Sequence, residues 1–198
     1  LHGGIAATLA DPQADGFSED DKNLIKFHGL YQQKIRDKNA APEKRQGTTF
    51  MIRGRIPGGR LNARQYLEWD RLAENFSLGS IRLTTRQTIQ LHGVLKDELK
   101  PIMQAIAAMN LTTIGACGDV VRTVTQAVNP WGDPLLEQLD APTDLLSRHF
   151  QFRSAAWTEL WLDEKRVHVE GDEVEPIYGQ TYLPRKFKMA VTAVGNNS

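Results

Sequence analysis

The stretch GSIRLTTRQTIQLHG (residues 79–93) decides how the rest of this chain is read. Ile81 and Leu83, then Ile89 and Leu91, alternate with polar residues, which predicts two short strands over 80–84 and 88–91 with one apolar face. Alternate side chains of a strand share a side, so the opposite face is expected to carry Arg82, Arg86, Gln90 and His92. Such a row of donors suits anionic oxygen.

Outward from this stretch the chain keeps a regular order. TTFMIRGRI (48–56) alternates as a strand and is stopped by Pro57-Gly58-Gly59. Residues 62–76 predict an amphipathic helix, with Asn62 as N-cap and Tyr66, Trp69, Leu72, Ala73 and Phe76 at three- and four-residue spacing. A second helix is expected over 98–110, with Ile102, Ile106 and Met109 on one side and Pro101 near its start. The order β-α-β-β-α is most of a ferredoxin-like α+β sandwich.

The flanks are less patterned. Residues 1–20 read as a loose arm, 23–31 as a docking segment and 32–46 as an exposed, charged connector. Gly115–Gly118 is a flexible junction, after which Asp119 is expected to cap a short helix through Arg122. The NPWGDP run (129–134) is a composition break and the candidate domain boundary. Beyond it, 135–152 reads as acidic helix, 157–162 and 188–194 as strands, and 170–175 as an acidic loop.

Composition bounds the function class. The 198 residues are 40% hydrophobic and 24% charged, as in ordinary globular proteins. Lys+Arg and Asp+Glu are both 24, so no global field attracts nucleic acid or an anionic membrane. The charges are nevertheless segregated. Between residues 50 and 93 there are seven arginines (53, 55, 60, 64, 71, 82, 86) and only three acids (Glu68, Asp70, Glu74). No apolar run is long enough for a membrane span. A single cysteine, Cys117, excludes an internal disulfide or a multi-cysteine metal site within these residues and fits a reducing compartment. The opening LHGGIAATLADPQADG has neither Met nor the order of a signal peptide, and reads as part of a longer chain.

Arg53 and Arg55 are expected on one strand face, Arg82 and Arg86 on another if 84–85 stays extended, and Lys186 and Lys188 on a third segment. With Arg122 they form a cation set that repels itself unless an anion neutralises it. The competing reading is solvated surface charge paired with distant acids. His92 and His28 each read more readily as hydrogen-bonded structural histidines than as ligands, and Cys117 as a small packed residue. An RNA-binding sheet would need aromatic residues for stacking, and 80–91 has none. The residues by themselves say that a sheet-containing fold binds a multiply anionic ligand.

Five segments in order, FHGLYQQKIRD (27–37), MIRGRIPGG (51–59), GSIRLTTRQTIQLHGVLK (79–96), GACGDVVRTV (115–124) and GQTYLPRKFKMAV (179–191), resemble successive motifs of the sirohaem-dependent assimilatory sulfite and nitrite reductases. The resemblance implies an N-terminal arm (1–47), a ferredoxin-like half-domain (48–128) and the beginning of a mixed α/β sirohaem-binding domain (129–198). It implies Arg82, Arg86, Gln90, His92 and Arg185 as contacts to sirohaem and its carboxylates. It implies Arg53, Arg122, Lys186 and Lys188 as the catalytic cations that hold the oxyanion. The implied reaction is the six-electron reduction of sulfite to sulfide in the cytoplasm, with electrons from a ferredoxin or a flavoprotein subunit, and no nucleic-acid or membrane partner.

Lys186-Phe187-Lys188 resembles the sulfite type, since nitrite reductases tend to place Asn where Lys188 stands. The alternatives are a nitrite reductase of the same family or a non-catalytic tetrapyrrole-binding module. Val120-Val121-Arg122-Thr123 departs from the family's usual Asn-Arg-Asn pattern. The family's [4Fe–4S] cluster needs cysteines that Cys117 does not match, so no metal ligands are assigned here. The cluster ligands are expected in a further half of a chain about twice this length.

Overall fold

Two central strands, β2 (Thr49–Arg53) and β4 (Ile89–Val94), carry the core of a four-stranded antiparallel sheet. Their edges are covered by β1 (Leu30–Gln33) and β3 (Arg82–Leu83), giving the order β1-β2-β4-β3. The computed structural model describes residues 1–34, 47–163 and 175–195. Most of the 32–46 connector and of the 170–175 loop lies outside them. Phe50 and Ile52 of β2 and Ile89 and Leu91 of β4 are buried, as alternation on a covered sheet requires.

The helix α3 (Ala63–Phe76) starts where its cap dictates. The Asn62 side chain accepts from Gln65 N at 2.8 Å while the Gln65 side chain accepts from Asn62 N at 3.0 Å, a reciprocal capping box. Trp69, Leu72 and Ala73 point inward, and α3 packs on β4 and on α4 (Leu99–Ala108), which buries Leu99, Ile102, Met103 and Ile106. Thus β2-α3-β3-β4-α4 is the expected ferredoxin-like unit, with β1 added from the segment before it.

The flanks correct several expectations. Residues 1–20 are not a loose arm: α1 (Ile5–Ala10) and α2 (Glu19–Phe27) form there, with Ile5 fully buried and Phe17 edge-on to Phe50 at 5.4 Å. Residues 119–122 form no helix. Gly118 takes φ +84° and Val121 then bridges in parallel to Phe187. The acidic region does fold as helices, α5 (Pro134–Glu137) and α6 (Asp140–His149).

The WTELWL segment is α7 (Ala156–Leu162), not a strand. Its apolar residues do not alternate, and Trp157, Leu160 and Trp161 lie inward at helical spacing. Trp157 Nε1 donates to Thr113 Oγ1 at 2.7 Å and Trp161 Nε1 to His28 Nδ1 at 3.1 Å. Of 188–194 only β6 (Ala190–Val191) is strand, paired in parallel with β5 (Thr125–Gln126).

In the opening stretch, Thr84 to Thr88 closes as a turn, with Gln87 N donating to Thr84 O at 2.9 Å and Gln87 at φ +53°. This separates Arg86 from the row that contains Arg82. Leu83 is 73% exposed, so the apolar face comes from Ile89 and Leu91.

Candidate functional site: a cationic cleft

Beyond β2 the chain changes neighbours, because Gly54 N donates to Ile89 O at 3.0 Å but Arg55 N donates to Thr112 O at 2.7 Å. The two arginines two residues apart therefore part company. Arg53 stays half-buried at the strand end, while Arg55 is only 2% exposed and lies inside. Gly54 between them is obligatory for packing, since a Cβ there would stand 2.7 Å from Trp69 Cζ2.

Arg53 opens onto a cleft of about 340 Å³ whose lining also includes Tyr31, Arg86, Arg122, Lys186 and Lys188. Thr84 and Thr85 complete the wall, and among the described residues no carboxylate lines it. Three backbone features gather these cations. The turn at 84–88 swings Arg86 across, so that its Nη1 donates to Met189 O at 2.9 Å. Phe187 N donates to Val120 O at 3.1 Å and Arg122 N to Phe187 O at 2.9 Å, which lays the 186–188 segment beside Arg122. Lys186 and Lys188, on either side of Phe187, are exposed and face the cleft.

Arg122 is 8% exposed and is held from below: Nε donates to Gly118 O at 2.7 Å and Nη1 to Ala116 O at 3.1 Å. The Tyr31 phenol reaches Arg122 and also Cys117, which is fully buried beneath it. Burial pushes both the Tyr31 hydroxyl and the Cys117 thiol above their usual pKa values, so both are protonated at neutral pH. The Arg86 guanidinium is shifted down by burial and by Arg122, which records the mutual repulsion of the set. Among the described residues, no ion pair reaches Arg53, Arg82, Arg86, Arg122, Arg185, Lys186 or Lys188.

Gln90 stands opposite Arg53 in the β2–β4 ladder and is 6% exposed. Its amide satisfies both neighbours in one orientation: the oxygen accepts from Arg53 Nε at 2.8 Å, and the nitrogen donates to His92 Nε2 at 3.1 Å. His92 Nδ1 lies 3.0 Å from the Gln33 side-chain amide. An accepting Nε2 requires a neutral ring. Burial, then Arg82 and Arg53, lowers its pKa to about 4.

Of the residues singled out from sequence, Arg53, Arg86, Arg122, Lys186 and Lys188 meet in one cleft. Arg82 and Arg185 are exposed outside its wall, and Gln90 and His92 lie behind Arg53. His28 is structural, since its Nδ1 accepts from Trp161 and its Nε2 lies 3.1 Å from Leu1 O. Sequence reading missed Tyr31, whose only signal was a polar-tipped aromatic in a short strand. A larger cleft of about 530 Å³, beside Tyr66, Leu83 and Val128, has no charged side chain in its lining among the described residues.

A β-α-β-β-α unit with an acid-poor cationic cleft at the end of its central strands defines the class: residues 42–109 match the family described as the nitrite/sulfite reductase ferredoxin-like half domain. By this match the chain carries the ferredoxin-like half domain of the nitrite and sulfite reductases. It is 45% identical to the sulfite reductase [NADPH] hemoprotein beta-component of Xanthomonas campestris pv. campestris, across all of this chain and 35% of that protein. It is 43% identical to the protein of the same description from Staphylococcus carnosus, again across 35% of it. The chain therefore spans about a third of the length of these curated relatives. The Mycobacterium tuberculosis NirA protein shares the fold, with a TM-score of 0.67 at 20% identity over 95% of this chain and 32% of that one.

Proposed function

We propose that this chain is part of a sirohaem-dependent sulfite reductase and that its cleft holds the sulfur oxyanion during six-electron reduction to sulfide. The observation that carries the reading is the cleft itself: five cations with no lining carboxylate among the described residues. Like charges this close are held together only at a cost, and an anion between them converts repulsion into attraction.

Sirohaem carries eight carboxylates, and the cations of this chain, exposed at Arg82 and Arg185 and half-buried at Arg86, fit such a polyanion. Arg82, Arg185 and Arg86 are the residues that would hold its carboxylates. Gln90 and His92, proposed from sequence for the same task, reach that side through Arg53. Sirohaem supplies, when bound, an iron that takes the sulfur oxyanion and passes electrons to it. A single buried cysteine does not fit a [4Fe–4S] cluster, which takes four cysteine ligands, and no step is assigned to one here.

The chain's own residues do electrostatic and proton work. Arg53 and Arg122, fixed by Gln90 and by the 116–118 carbonyls, present charge in set directions, so little reorganisation is needed when the anion changes shape. Lys186 and Lys188 are exposed ammonium groups that give protons as the sulfur–oxygen bonds break and oxygen leaves as water. Arginine, whose proton is held more tightly, serves as the clamp.

Electrons are proposed to come from a partner protein. The [NADPH] beta-component names of the relatives favour a flavoprotein subunit over ferredoxin. The division of the chain at 47 and 128 into arm, half-domain and the start of a sirohaem domain belongs to the same proposal.

The test is made on the full-length enzyme, by its absorption spectrum and by sulfite-dependent oxidation of reduced viologen. A sirohaem band with sulfite turnover is expected. Absence of both sinks the reading, and preference for nitrite in the same assay moves it to the other branch of the family.

A further inference from the structure

The loop that delivers Arg122 to the cleft has its backbone oxygens accounted for almost one by one. Asp119 O accepts from Leu183 N at 3.1 Å and Val120 O from Phe187 N at 3.1 Å. Ala116 O and Gly118 O accept from Arg122 itself. The two oxygens that bracket this set, Gly115 O and Val121 O, both accept from Arg55 Nη1, at 3.2 and 3.3 Å. Arg55 Nη2 meanwhile donates to Ser147 O at 3.0 Å in the last turn of α6, the end of a helix where a cation is favoured.

Arg55 is an unusual residue to spend on such a task. It is 2% exposed, it meets no carboxylate, and its Nε has no partner among the described residues. Burial lowers its pKa only to about 10, so it remains charged in the interior. A buried charge without a counter-charge costs several kcal/mol, and apolar replacements of similar volume are ordinarily tolerated or better. What the planar fork offers that an apolar residue cannot is simultaneous donation in fixed directions to several carbonyls. The carbonyls it joins are the two ends of one loop and the end of one helix. The neighbouring geometry is fitted to it: a Cβ on Gly115 would stand 3.0 Å from Nη1, and Tyr178 Oη holds the other pole of Val121 by accepting from its N at 3.1 Å.

We propose that Arg55 is the positioning residue for Arg122: by tying Gly115 O to Val121 O it sets the shape of the 115–121 loop, and with it where the Arg122 guanidinium stands in the cleft. Arg55 does not line the cleft, and the Arg-Gly-Arg sequence thus divides one task between two levels. Arg53 meets the ligand from the strand end, and Arg55 holds the opposite wall from behind. The functional part of this inference rests on the reading of the cleft as an oxyanion site, whereas the positioning part does not.

The test uses the full-length protein, uniformly ¹⁵N-labelled, with hydrogen exchange read by NMR, comparing wild type with Arg55→Lys. Lysine keeps the charge but cannot span the carbonyls. Exchange at Arg122 Nε–H and at the amides of 116–122 is expected to quicken about tenfold, a coupling typical of residues that share partners, with core amides such as Ile52 and Leu91 unmoved. Equal acceleration everywhere would mean a general loss of stability and overturn the proposal, as would no change at Arg122. If Arg55→Lys does not fold, wild type carries the test: Arg55 and Arg122 side-chain exchange should show the same denaturant dependence, and different slopes refute the coupling. A sulfite titration of the same samples separates the two readings. No binding to wild type counts against the oxyanion site alone, while a loss of affinity in Arg55→Lys that disappears in an Arg122→Gln background is expected if both hold.

Discussion

The Arg53 guanidinium leans on the Gln90 amide directly across the β2–β4 ladder, Nε to Oε1 at 2.8 Å, and the same amide is held from its other end by His92. The cation at the cleft is thus the last member of a chain of side chains anchored in the sheet. Gln90→Leu keeps the volume and removes the acceptor. A hydrogen bond to a charged group contributes on the order of 1.5–3 kcal/mol, so the KM for sulfite in the full-length enzyme is expected to rise about tenfold or more. Unchanged KM and kcat in a folded Gln90→Leu enzyme would show that Arg53 needs no such support.

The cleft's charge is expected to be additive at its exposed rim. Lys186→Gln and Lys188→Gln should each weaken sulfite binding, and the double variant should also flatten the dependence of affinity on ionic strength, because exposed charges are the ones salt screens. Titrations at low and high salt check this. Equal salt sensitivity in wild type and double variant would remove these lysines from the site.

Acid should destabilise the fold through His28. Its pKa is lowered from 6.5 to about 4, chiefly by burial, so between those values the unfolded chain binds a proton that the folded chain refuses. The stability from keeping this ring neutral is fully present above pH 6.5 and is lost progressively as pH falls from 6.5 to 4. Urea midpoints measured across that range should fall with pH. His28→Gln should be less stable at pH 7 but show a flatter decline, and an identical slope in the variant would exclude His28 as its source.

Gly54 is expected to tolerate no side chain. The Cβ of Gly54→Ala would press on the Trp69 ring at 2.7 Å, in a core where overpacking costs about 1–3 kcal/mol. Urea denaturation gives the measure. The paired variant Gly54→Ala/Trp69→Phe should recover part of the loss, and a stability equal to wild type in Gly54→Ala would mean that the helix shifts away at no cost.

Local chemistry was enough to read the centre of this molecule. The Asn62 cap, the spacing of Trp69, Leu72 and Ala73, and the alternation of Ile89 and Leu91 each act within a few residues, so the β-α-β-β-α order and the wealth of cations were legible directly. Only the tertiary structure decided which cations share a site. Arg53 and Arg55 part because the chain changes its hydrogen-bond partner from β4 to Thr112 between them. Arg86 leaves the row of Arg82 because 84–88 turns, and it reaches Met189, far along the chain. WTELWL, rich in residues that strands also favour, is a helix, and the Thr113 and His28 acceptors that hold its tryptophans come from distant segments. A sequence states which charges exist and what each element prefers. Where those charges converge depends on pairings between distant segments, which no local pattern contains.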